Sequence, residues 1–205
     1  MPNGLAMTHT VRVAHLASIT GWTREAIRNM SRDGAAPWCE NDFPDGQHRQ
    51  FSGEHALALV IQSVLIEQGL TAFVAGEAVR TQIAAIRAAL DAADGGADLP
   101  KTLVALVQVC EEHEVSGICW MPILRTGGYE PDELVEEVRR RLAGNGRVSR
   151  QGKHLVRQVA GPRVASVPIS EAYLILCARA RRAGYAIQGR NIVRSDSLPE
   201  ADAWA

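Results

Sequence analysis

A chain of 205 residues, 46% hydrophobic and 22% charged, has the composition of a soluble globular protein and the length for one or two domains. No apolar run approaches the roughly 20 residues of a membrane-spanning helix, and the start MPNGLAMTHTVRVAH lacks the pattern of a secretory signal. A cytoplasmic protein without a membrane partner is therefore expected, and the scattered Cys39, Cys110, Cys119 and Cys177 read as reduced thiols. The formal charge of -1 conceals a strong segregation. Residues 1–98 carry 7 Lys/Arg against 11 Asp/Glu, and residues 99–138 carry 2 against 8. Residues 139–194 carry 13 against 1. Such a basic block either faces a polyanion or neutralises the acidic middle of its own chain or of a partner subunit.

Helical periodicity dominates the first half. Val13 to Thr20 reads as a short helix, Gly21-Trp22 as a turn, and Thr23 as the cap of a second helix, Arg24 to Arg32, ending at Gly34. Pro37 to Phe51 is polar and turn-rich around Pro44-Asp45-Gly46, which fits a hairpin or wing. Ser52 caps an amphipathic helix that stops at Gly69. From Thr71 one long helix is expected, with Val79, Ile83, Ile86 and Leu90 forming a seam of the coiled-coil type. The stripe suits pairing with a second copy, and the competing assignment packs it on the chain's own C-terminal half.

Asp94-Gly95-Gly96 is the best candidate boundary. Beyond it, Lys101 to Glu114 reads as helical and Gly117 to Leu124 as buried and extended. Pro131 opens a helix through Ala143, with acids early and arginines late as the helix dipole favours. Gly144 to Gly152 is a basic connector, and residues 154–169 suggest two short strands joined at Gly161-Pro162. Ser170 caps a helix through Ala183, closed by Gly184, and the tail after Ser195 reads as loose.

The stretch TGWTREAIRNMSRDG, Thr20 to Gly34, resembles the helix-turn-helix of the MerR family. Gly21, Trp22 and Thr23 open the second helix, and Ile27-Arg28 sits inside it. Downstream, Arg49, Phe51, Ser52, Gly69 and Leu70 are similar to that family's wing strand and following helices, so the resemblance covers about residues 10 to 80. It implies a winged helix that reads the DNA major groove with helix 23–33, contacts the backbone with wing 37–51, and dimerises through the long helix. The physics agrees with that implication. A recognition helix offers its N-terminal side chains to base edges and its dipole to phosphate, and Arg28 follows Arg24 by one turn on the same face. The expected DNA contacts are Arg12, Trp22, Thr23, Arg24, Arg28, His48 and Arg49, with Arg147, Arg150 and Lys153 as possible extra phosphate contacts.

The expected architecture is mainly α. It comprises a winged helix with its dimerisation helix (8–93), a small α(+β) C-terminal domain (99–195, basic from 139) and a tail (196–205). No GxSxG, phosphate-cradling loop or HExxH occurs, and the expectation is a non-enzyme without cofactor. Cys110, His113 and Cys119 invite a metal, but Cys119 lies in an apolar run and reads better as a small buried hydrophobe, so no metal is expected. The leading expectation is a homodimeric, sequence-specific transcriptional regulator bound to double-stranded DNA. The alternative is a DNA-architectural or packaging factor of a phage or mobile element, excisionase-like or small-terminase-like.

Overall fold

The first two helices begin and end where their capping residues dictate. In the computed structural model, which describes residues 10–43, 49–99, 102–113, 117–123, 130–144, 150–151, 154–155 and 163–195, α1 spans Val13–Thr20 and α2 spans Arg24–Arg32. Gly21 ends α1 at φ 83°, a conformation that a Cβ disfavours. The Thr23 hydroxyl caps α2 by accepting the Ala26 N–H at 3.1 Å. After a turn of 3-10 helix at Glu40–Asp42 come α3 (Gly53–Glu67), α4 (Ala72–Thr81) and α5 (Ile83–Asp94). Every residue of α3 from Ala56 to Gln62 is buried. A helix apolar on nearly all sides belongs at the centre of a core, and α3 contacts α1, α4 and α5.

The C-terminal half adds β1 (Leu103–His113), β2 (Gly117–Ile123), α6 (Pro131–Gly144), β3 (Arg150–Gln151), β4 (His154–Leu155), β5 (Arg163–Pro168), α7 (Ile169–Arg182), β6 (Tyr185–Gln188) and β7 (Asn191–Arg194). The fold of the described residues is mainly helical. One antiparallel sheet runs in the order β2-β1-β5; β3 pairs with β4, and β6 with β7.

Several expectations are corrected. The helix expected over Lys101 to Glu114 is strand β1. Its continuous apolar run suits a strand covered on both faces as well as a helix, and at its start both faces are covered. Val104 joins the main core, whereas its neighbour Ala105 packs with Leu134 of α6. The hairpin expected within Pro37–Phe51 is not formed among the described residues; Phe51 instead bridges back to Val11, with both backbone bonds at 2.8 Å. Pro44 to His48 lie outside the described residues. Among the described residues the strands β4 and β5 do not pair with each other, and the hairpin β6–β7 is an addition to the expected elements.

The long helix from Thr71 is also corrected, and with it the dimer seam. Gln82 stands between α4 and α5 at φ -114°, ψ 19°. Its buried amide donates to the Ala78 and Ala105 carbonyls at 3.0 and 3.2 Å and accepts the Ala105 N–H at 3.3 Å. Val79, Ile86 and Leu90 are fully buried in this chain's own core, and Ile83 is partly buried beside them. The stripe therefore offers no face to a second copy. That same core also takes in Val167, Ile169, Leu176 and Ile192, so residues 8–93 and 99–195 are not separately packed domains. Helix α7 crosses the expected boundary to lie against α1, α3 and α5.

A second glutamine repeats the Gln82 device. Gln68 donates to the Ser166 carbonyl at 2.9 Å and accepts the Ser166 N–H at 3.0 Å. Ala105 and Ser166 are register partners across β1 and β5. Their backbone groups point away from each other, and one glutamine amide satisfies each side, closing edges that would otherwise be bare. The two sites differ in burial, which sets their worth. Gln82→Ala strands the buried N–H and C=O of Ala105 and is expected to lower stability by about 2–4 kcal/mol in urea unfolding. Gln68→Ala leaves Ser166 able to bond water, and its expected loss is under about 1 kcal/mol. Equal losses at the two positions would contradict this account.

Candidate nucleic-acid interface

Helix α2 presents a divided surface. Ile27 and Met30 are buried, while Arg24, Arg28 and Arg32, spaced four residues apart, stand exposed on one face. Along this face runs a cleft of about 400 Å³ lined by Arg12, Arg28, Arg32 and Arg49 together with Glu40. The Val11–Phe51 bridge brings the two outlying arginines to it, because Arg12 follows Val11 and Arg49 precedes Phe51 by two. Arg49 sits over the Phe43 ring at 5.3 Å and forms an ion pair with Glu40. Arg32 pairs with the adjacent Asp33 at 3.0 Å. Among the described residues, Arg12, Arg24 and Arg28 form no ion pair.

Both ends of α2 are held by the rest of the fold. Ahead of it, the Trp22 indole N–H donates to the Leu59 carbonyl of α3 at 3.3 Å, and Arg179 of α7 donates to the Thr20 carbonyl at 2.6 Å. Behind it, Arg80 of α4 donates to the carbonyls of Gly34 and Ala36, and Gln62 donates to that of Ala35 at 2.7 Å. Gly76 permits this approach, since a Cβ there would lie 2.2 Å from the Ala35 oxygen. A helix pinned at both ends has a preorganised outer face.

The structure brings together Arg12, Arg28 and Arg49 of the expected contacts, with Thr23 and Arg24 at the N-terminal end of the same helix. Trp22 is corrected: its one donor is occupied by Leu59 and its ring packs on the core, so it anchors the turn. His48, Arg147 and Lys153 lie outside the described residues, and Arg150 is described only as backbone in β3. Two cleft residues escaped the sequence reading. Arg32 was within reach, one turn beyond Arg28, whereas the pairing of Glu40 with Arg49 depends on the path of the intervening loop. Of the suggested metal ligands, Cys110 stands in register with Trp120 and Cys119 with Glu111.

No family model matches the chain, and no curated protein matches it either. No described helix is long and apolar enough to cross a membrane. The site must therefore be argued from its own chemistry.

Behind the cleft, Trp38, Phe43, Phe51 and His55 form a cluster with ring centroids 5.2 to 6.1 Å apart. His55 Nδ1 accepts the Ser52 N–H at 3.1 Å, which caps α3 and requires that nitrogen to be unprotonated. Burial lowers the His55 pKa below its usual 6.5, outweighing the raising effect of Glu54 and Asp42. The unfolded chain thus takes up a proton near pH 6.5 that the folded chain resists. Stability from this residue is present above that pH and is lost as pH falls toward the lowered native value. The melting temperature is expected to drop between pH 7.5 and 5.5, and His55→Gln, which keeps a capping acceptor, should flatten the drop. Parallel curves for the two proteins would refute the assignment.

Proposed function

We propose that this chain is a sequence-specific DNA-binding regulator of the MerR-like winged-helix type, acting in the cytoplasm and without catalytic activity. The observation that carries the reading is the convergence of four arginines, from the N-cap of α1, from α2 and from the segment ahead of the Phe51 bridge, on one cleft beside an exposed helix. Arginine forks suit both phosphate oxygens and the O6/N7 edge of guanine. In this reading α2 enters the major groove. Thr23 and Arg24 lie at its N-terminal end and Arg28 one turn further, while Arg12, Arg32 and Arg49 hold the flanking backbone. The resemblance of residues 10 to 80 to the MerR helix-turn-helix supports the same assignment.

Two of the thirteen basic residues at 139–194 are tied into the fold. Arg190 pairs with Asp91 of α5 at 2.6 Å, and Arg179 is bound to the Thr20 carbonyl. These two arginines serve the fold, and the reader of DNA is sought at α2. Glu40 is the counterpart of a phosphate in this cleft, an anion already seated on Arg49.

Opposite signs are therefore expected from two substitutions. After selection of a bound duplex from random oligonucleotides, Arg28→Ala should weaken its binding by about 1–3 kcal/mol while the melting temperature holds. Glu40→Gln should tighten binding, since the competing carboxylate is gone. Retention of wild-type affinity in Arg28→Ala would remove α2 from the groove and overturn the proposal.

A further inference from the structure

The outward face of α2 holds an acid among its arginines. Glu25 lies in the first turn of the helix, exposed, three residues before Arg28. Ile27 and Met30 turn the opposite side of α2 into the core. At about 100° per residue, this sets Glu25 near the middle of the outward face, with Arg24 and Arg28 to one side of it. Asp33 and Glu40, which border the same surface, are each seated on a guanidinium, of Arg32 at 3.0 Å and of Arg49. Glu25 forms no ion pair among the described residues.

An acid is welcome at a helix start, because the dipole there is positive. That stabilises α2 in the free chain but leaves open what the carboxylate meets when the helix lies in a groove. An ionised carboxylate only accepts hydrogen bonds, and the phosphate backbone offers it nothing but repulsion. The donors exposed in the major groove are the amino groups of cytosine and adenine. Adenine sets its N7 acceptor beside that amino group, whereas cytosine presents N4 without a neighbouring acceptor of its own.

We infer that Glu25 is a specificity-determining residue that accepts a hydrogen bond from the N4 amino group of a cytosine in the major groove. This rests on the DNA-binding reading of α2. Arg28 lies about 4.5 Å further along the helix axis, close to the roughly 3.4 Å rise of one base step. Glu25 and Arg28 are thereby assigned to neighbouring base pairs, with the arginine fork on a guanine O6/N7 edge. The two side chains divide the task. The arginines attract any duplex, and Glu25 subtracts affinity from every site where its carboxylate faces acceptors instead of an amino group.

The test takes the duplex selected from random oligonucleotides, replaces each base pair in turn, and measures the affinity of the full wild-type chain and of Glu25→Gln for every member. The wild type is expected to prefer cytosine at one position and to lose roughly 5- to 150-fold when that pair is replaced. Glu25→Gln is expected to lose this preference and to move it toward adenine, whose N6/N7 pair a glutamine amide matches. Preferences at the other positions should hold. Glu25→Ala should level the four bases at the same position, and it supplies the test if Glu25→Gln melts early. Tighter binding of Glu25→Gln to all duplexes alike, with preferences unchanged, overturns the inference and reduces Glu25 to a general repulsion of the backbone. Unchanged affinity and preference also overturn it and leave Glu25 to the helix dipole alone. Both of these outcomes leave the α2 reading standing, whereas a wild-type chain that selects no duplex overturns that reading itself.

Discussion

The position of α2 depends on one contact more than on any other: the approach of α4 to the turn that follows α2. Three successive carbonyls, of Gly34, Ala35 and Ala36, are held by Arg80 and Gln62. The approach exists only because residue 76 has no side chain. Gln62 is itself completely buried and also donates to the Ala72 carbonyl at 2.9 Å, so one amide ties the turn to the start of α4. Buried polar groups are expensive unless paired; the Gln62 Nε2 is paired twice while its buried Oε1 has no partner among the described residues, so the contact contributes specificity at a cost. With the Trp22 and Arg179 contacts at the other end, α2 has one direction left in which to present side chains. Its arginines face that way.

The same logic joins the two halves of the chain. Glutamine amides at 68 and 82 stand in for neighbouring strands on either side of the Ala105–Ser166 pair, and the helical layer grips the sheet through its backbone. Helix α6 covers the opposite face through Leu134. The C-terminal half is thus structural support for the N-terminal helices as much as a unit of its own. Apolar residues that look like a dimer seam in the sequence, Val79, Ile86 and Leu90, are the inner lining of that support.

What was legible in the sequence was what local chemistry decides. Gly21, Thr23, Ser52 and Thr71 fix helix ends within a turn, and α1 and α2 follow from them residue by residue. Arg28 was legible as a helix-face position one turn beyond Arg24, whereas Arg12 and Arg49 were named through the family resemblance and meet only through the long-range Val11–Phe51 bridge. The rest was decided at a distance. Nothing local breaks a helix at Gln82; a strand residue 23 positions later does. Leu103 to His113 is a strand because two other segments and a helix enclose it, and its apolar run is equally good helix in isolation. The β6–β7 hairpin carried a readable signal, alternating residues around Gly189, but its role depends on reaching back to Gly53 and Asp91.

The central claim is that a rigid frame presents the outer face of α2, flanked by Arg12 and Arg49, to duplex DNA. Amide and arginine chemical-shift mapping of the labelled chain during titration with duplex DNA at low salt tests it most directly. The account predicts that the largest changes fall on residues 12, 23–32 and 49–51, with the amides of α3 unmoved. Changes confined to α6 and the β3–β4 segment, or none at all, would contradict it.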